Sequence, residues 1–202
     1  MIWDLDHLVI SCTDLAEGAA QIEAALGVPL APGGQHAAFG THNRLLSLGP
    51  AAYLEVIAID PSADRPDRAR WYGLDAFSGA PRLTHWAARV ADLDKALAGG
   101  PLAEVATPLS LVRGDYRWRM AVTDTGQLPF DDVYPALLEW QGPHPAAALP
   151  DRGVRLTGLD LHHPEGAALG RLLGDADPCV TVEDAPPGLS ARLATPQGEV
   201  VL

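Results

Sequence analysis

Only two cysteines, Cys12 and Cys179, occur in 202 residues. They are too few for a disulfide framework and lack the C-x-x-C spacing of a zinc or thiol-redox motif. That scarcity suits a reducing compartment, so a cytoplasmic location is expected. Positive charge is also scarce: 14 Lys plus Arg face 26 Asp plus Glu, a formal net charge of -12. The average surface repels a phosphate backbone, which argues against nucleic acid as a partner. Arg113, Arg117 and Arg119 form the one dense cationic stretch outside the linker, better suited to holding one anionic substrate group than to binding a polymer. No apolar run approaches the roughly 18 residues of a membrane span. Met1 to Asp4 lack the basic start and long apolar stretch of a signal peptide. A G-x-S-x-G elbow, a Walker loop and a G-x-G-x-x-G turn are all missing, which leaves nucleophilic hydrolysis and nucleotide binding without a motif.

What is present is a globular composition, 48% apolar, in a chain long enough to bury a real core. Leu5 to Ile10 reads as a strand. Thr13-Asp14 then offers a helix cap, and apolar residues at Leu15, Ala19, Ile22, Ala25 and Leu26 form one helical stripe that ends at Gly27. A Gly/Pro/His-rich strand or flap over 31–40 and strands over 41–49 and 52–59 complete a β-α-β-β-β cycle in residues 1–60. Residues 61–81 turn to Pro, Asp, Arg and Gly around one short helix expected at 68–77. This segment reads as a linker, although Trp71, Tyr72 and Phe77 predict that it packs over a sheet edge or pocket. A second cycle occupies 82–148 and a shorter one 149–202, the latter expected on the same domain.

The cycles start with Leu5-Asp6-His7, Leu83-Thr84-His85 and Leu156-Thr157-Gly158, and end with Leu54-Glu55, Leu138-Glu139 and Gly198-Glu199. Strand alternation places His7 with Leu5 and Val9, Glu55 with Tyr53 and Ile57, His85 with Leu83 and Ala87, and Glu139 with Leu137. Polar groups flanked by apolar neighbours need partners. Convergence of His7, Glu55, His85 and Glu139 on one divalent cation (Zn, Ni, Co, Fe or Mn) would satisfy all four, with Glu139 or Glu55 doubling as a catalytic base. A lone strand histidine is more often a satisfied core residue, and only the repetition raises the metal reading to even terms. His42, Asn43, Trp118 and Arg119 are the candidates for holding substrate. His36 is a further pocket candidate, while His144, His162 and His163 read as loop or strand-end caps.

These residues carry a resemblance. Leu-Asp-His-Leu-Val on the first strand, Gly40-Thr41-His42-Asn43, Tyr53-Leu54-Glu55-Val56-Ile57-Ala58, Trp118-Arg119-Met120-Ala121-Val122 and Leu137-Leu138-Glu139-Trp140 resemble the vicinal oxygen chelate superfamily and its glyoxalase-like domain proteins. The resemblance implies an α+β fold of tandem βαβββ modules paired into a curved mixed sheet, with a shorter third βαβββ-like repeat. It maps metal ligands onto His7, Glu55, His85 and Glu139, the pattern of a glyoxalase-like lyase or isomerase acting on a small oxygenated molecule. Two alternatives stay open: an extradiol-type dioxygenase using two His and one Glu, and a metal-free protein sequestering a small molecule among Trp86, Trp118 and Trp140. A homodimer is also open, and no membrane partner is expected.

Overall fold

The computed structural model describes residues 3–174 and 177–202. The first cycle comprises β1 (Asp4–Ser11), α1 (Leu15–Leu26), β2 (Ala31–His36), β3 (Thr41–Ser47) and β4 (Tyr53–Ile59). The second comprises β5 (Arg82–Arg89), α2 (Leu93–Ala98), β6 (Ala106–Arg113), β7 (Tyr116–Thr123) and β8 (Ala136–Trp140). α1 starts where Asp14 accepts the Glu17 N–H at 2.9 Å. It stops at Gly27, whose φ of 69° few other residues adopt readily. Between the cycles, the expected helix shrinks to a single 3-10 turn, Trp71–Gly73.

The eight strands form one sheet in the order β2-β3-β4-β1-β5-β8-β7-β6. In each cycle the first strand pairs parallel with the fourth, and β1 and β5 pair antiparallel, so an approximate twofold axis passes through the β1/β5 seam. The last cycle has the same element order: β9 (Arg155–His163), α3 (Gly166–Leu173), β10 (Val180–Asp184), β11 (Gly188–Thr195) and β12 (Gly198–Val201). Its strand order differs, β10-β9-β11-β12, because β9 pairs with both β10 and β11. The helices and this small sheet bury their apolar faces against one side of the large sheet, where Leu8, Ile10, Leu54, Trp86, Leu137, Leu159 and Leu193 share a core. On the other side Val9, Ile57, Ala87, Ala136, Leu138, Trp118 and Met120 line a cup, into which the linker inserts Trp71, Tyr72 and Leu74. Among the described residues no helix is long and apolar enough to cross a membrane.

Two bulges at the seam set what faces the cup. Leu5 pairs with Ala88 and His7 with Ala87, which leaves Asp6 as an extra residue on β1. Val9 pairs with His85 and Ile10 with Leu83, which leaves Thr84 extra on β5. A bulge re-aims the side chains beside it. Leu5 and Leu83 therefore pack on the helix side, not on the faces of His7 and His85 as strict alternation predicts. Thr84 is satisfied by a 2.7 Å contact with Ser11 Oγ.

Trp86 crosses from this seam into the helix-side core, fully buried, and donates to Val133 O at 2.8 Å. It therefore packs on the side away from the cup and cannot line a ligand pocket there. Trp86→Ala should cost about 3–5 kcal/mol, read as a lowered urea midpoint at unchanged m-value.

Candidate active site in the cup

The bulge at Asp6 brings two consecutive side chains together. His7 Nδ1 lies 2.7 Å from Asp6 Oδ1, while Trp140 Nε1 and His144 Nε2 reach Asp6 Oδ2 at 2.8 and 2.9 Å. Asp6 is fully buried. Burial would push its carboxyl up, but the hydrogen bonds and charges of His144 and His7 outweigh it and hold the group well below the usual carboxylate range. An ionised carboxylate only accepts, so His7 carries a proton on Nδ1, and in the neutral imidazole it is Nε2 that is left bare. The imidazole stacks on Tyr53 at 4.6 Å.

Two groups face that nitrogen: Tyr72 Oη at 3.3 Å and Glu55 Oε2 at 3.4 Å. Burial and the charges of Glu55 and Asp6 raise the Tyr72 phenol well above its ordinary value, so it is neutral and donates to His7. Tyr72 has φ 57°, a conformation costly for a bulky side chain and commonest where function needs it. Glu55 is fixed from the other side by Asn43 Nδ2 at 2.5 Å. His7, Asn43, Tyr53 and Glu55 line a cavity of about 30 Å³ that also touches His36, Arg113, Trp118 and Trp140. That is room for a water molecule, so a substrate entering the cup would have to displace the side chains that close it.

His85 is 3% exposed and lies beyond Tyr72, whose ring is 5.2 Å from its own. It lines a separate cavity of about 310 Å³ with Gln127, Asp131 and Asp132. Asp132 Oδ1 is 3.4 Å from His85 Nε2 without hydrogen-bond geometry, and both ring nitrogens are buried without a partner.

Glu139 does not join this group. Val9, two residues after His7, pairs with Glu55, whereas Ala87, two residues after His85, pairs with Ala136. Ala136 is thus the counterpart of Glu55, and matching the two Leu-Glu pairs misplaces the second cycle by three residues. Glu139 points to the helix side, where Oε2 accepts the Leu93 N–H at 2.9 Å and lies 3.5 Å from Arg119 Nη1. Arg119 is on that side too, paired with Asp94 at 2.7 Å. His42 alternates away from Thr41 and Asn43 and faces away from the cup, while Asn43 and Trp118 are in it. Sequence reasoning missed Asp6 and Tyr72. Alternation would have turned Asp6 away from His7, and nothing in the linker pattern distinguishes Tyr72 from its aromatic neighbours. Cys12 offers no nucleophile, its buried thiol being pushed up to about 12.

Donor types suit a divalent cation at His7, Glu55 and His85, and the unpartnered nitrogens of His85 support that fit. The fourth expected donor is absent from the cup. Among the described residues no three His, Cys, Asp or Glu side chains stand close enough to enclose an ion, because Tyr72 stands between the two histidines.

A family model described as a glyoxalase-like domain matches residues 5–175. A hypothetical protein from Staphylococcus aureus superposes over 100% of this chain and 84% of its own, with TM-score 0.59 at 12% identity. Methylmalonyl-CoA epimerase from Mycobacterium tuberculosis aligns over 71% of this chain and 91% of its own, at 21% identity and TM-score 0.45. A Streptomyces coelicolor methylmalonyl-CoA epimerase variant aligns over 69% and 94%, at 17% identity and TM-score 0.46. No curated protein matches the sequence.

His36 supplies a test of the cup's electrostatics. Its burial, outweighing the nearby Glu55, lowers its pKa from 6.5 to about 4. The unfolded chain therefore takes up this proton before the folded chain does. Stability should fall as pH drops from 6.5 to 4, by up to about 1.4 kcal/mol per unit, and then level off for this group. Urea midpoints across that window should show the slope in the wild type and lose it in His36→Asn. An equal slope in both proteins would contradict the assignment.

Proposed function

The chain belongs to the glyoxalase-like domain family of the vicinal oxygen chelate superfamily, and from that premise we propose that it is a lyase or isomerase moving a proton on a small oxygenated molecule in the cup. The observation that carries this reading is the chain Asp6–His7–Tyr72 standing beside Glu55. Glu55, held by Asn43, takes a proton from carbon next to a substrate carbonyl. The Tyr72 hydroxyl, positioned by His7 that Asp6 keeps in one tautomer, donates a hydrogen bond to the oxygen on which charge develops, and Glu55 then returns the proton to carbon. Trp71, Trp118 and Trp140 exclude water around the pair. His7, Glu55 and His85 have the donor types for a divalent cation, which would supply Lewis-acid polarisation of a substrate oxygen, but Tyr72 keeps the two histidines apart in this structure. The Asp6 contact to His7 Nδ1 is the outer support such a ligand commonly has.

A second reading rests on Ala136. With alanine at the counterpart of Glu55, the donor types left in the two half-sites are two His and one Glu, those of a non-haem iron oxygenase. Anaerobic assay separates the two, since proton transfer continues without oxygen.

The test is enzyme-dependent deuterium incorporation, read by NMR, into a panel of small 2-oxo acids, 2-hydroxy aldehydes and 2-hydroxy ketones in heavy water. For the compound that the wild type labels, Glu55→Gln should lower the rate by roughly 10²–10⁴-fold and His7→Gln by a similar factor. Glu139→Gln should leave it near the wild-type rate. Labelling that survives Glu55→Gln would sink the proposal, and binding without labelling would leave a sequestering protein.

Tyr72→Phe isolates the hydroxyl. It should lower kcat more than it raises KM, because the phenol meets charge that develops only in the transition state. An unchanged kcat would remove Tyr72 from the mechanism.

A further inference from the structure

Arg113 reaches the cup from the opposite end of the sheet. It closes β6, the outer strand of the second module, yet its Nη1 lies 2.9 Å from His36 Nε2 and 3.4 Å from Asn43 Oδ1, both on the first module. Passage of its stem is cleared by Gly34, where an added Cβ would meet Arg113 Cδ at 2.8 Å. Both partners are neutral. Asn43 is an amide, and His36 Nε2 accepts from Arg113, which puts the imidazole proton on Nδ1 facing Thr41 Oγ1 at 3.1 Å.

Among the described residues, no carboxylate lies within ion-pair distance of this guanidinium. The other arginines without such a partner, Arg44, Arg65, Arg82, Arg117, Arg152 and Arg171, are all exposed, whereas Arg113 is half-buried; Arg119, Arg155 and Arg192 are each paired with an aspartate. Of the residues around the small cavity, only Arg113 and Trp140 are half-buried, so they form its mouth. From Arg113 the hydrogen bonds run through Asn43 to Glu55, whose Oε2 lies 3.4 Å from His7 Nε2. An arginine in this place offers a planar fork to an anion whose neighbouring carbon would lie toward Glu55.

Resting on the proton-transfer reading above, we propose that the substrate is a small carboxylic acid, with Arg113 binding its carboxylate at the mouth of the cup and so selecting charged over neutral substrates. A purely structural arginine, latching the outer strands together, would instead matter only for stability.

Propionate and its uncharged counterpart propionamide are the probes, titrated against the full chain and followed by tryptophan fluorescence at two salt concentrations. Propionate should bind, more weakly as salt rises, and propionamide should bind at least about ten-fold less well. Arg113→Gln should lose about ten-fold or more in propionate affinity and the salt dependence with it, while Arg113→Lys keeps part of both. Thermal unfolding of each variant shows that it is folded. Equal propionate binding by wild type and Arg113→Gln, or no discrimination between the two probes, would overturn the proposal. Glu55→Gln should retain propionate binding, so loss of turnover without loss of binding, and the reverse, separate this inference from the proton-transfer reading.

Discussion

A single buried carboxylate organises the cup. Asp6 has no exposure and three donors, from His7, Trp140 and His144, and each donor belongs to a different part of the chain. His7 comes from its own strand, Trp140 from the last strand of the second module, and His144 from the turn that leads into the small sheet. An unpaired charge in that position would be expensive. The three donors, with the Arg89 guanidinium 3.9 Å away, offset that cost, so meeting the needs of the carboxylate fixes the imidazole, the tryptophan at the mouth and the exit of the chain together.

That arrangement depends in turn on a backbone irregularity. Without the bulge at Asp6, neighbouring side chains on β1 would face opposite sides of the sheet, and the carboxylate could not orient the histidine beside it. The matching bulge at Thr84 keeps the seam symmetric, but the chemistry on the two sides differs. Thr84 bonds to Ser11 and leaves His85 without a hydrogen-bonded acid, and Ala136 stands where a second glutamate would complete the pair. The twofold frame therefore holds one furnished half-site and one stripped half-site, with Tyr72 of the linker standing between them.

Much of the fold was legible in sequence because its signals are periodic. The apolar stripe of α1 with Asp14 before it, the alternation in the strands, and the repeated Leu-x-His starts all reflect spacing that a single chain displays. The site was legible only in its first half. His7, Glu55, Asn43 and Trp118 face the cup, whereas Glu139, Arg119 and His42 face away from it. β8 is buried on both faces, so Leu137 and Leu138 read as one continuous apolar run, and such a run carries no phase. The parallel register that equates Ala136 with Glu55 is a long-range property invisible in either segment alone. Trp86 was misplaced for a related reason, since the seam is apolar on both sides and the bulge alone decides which side an aromatic takes. Asp6 was hidden by the same alternation rule that located His7.

In the neutral imidazole, Asp6 holds the His7 proton on Nδ1 and leaves Nε2 bare toward Tyr72 and Glu55. Long-range ¹H–¹⁵N correlation of the histidine rings near neutral pH measures this directly. The structure predicts that His7 shows a protonated Nδ1 and an unprotonated Nε2, and that Asp6→Asn shifts the tautomer population. A wild-type His7 carrying its proton on Nε2 would contradict the account.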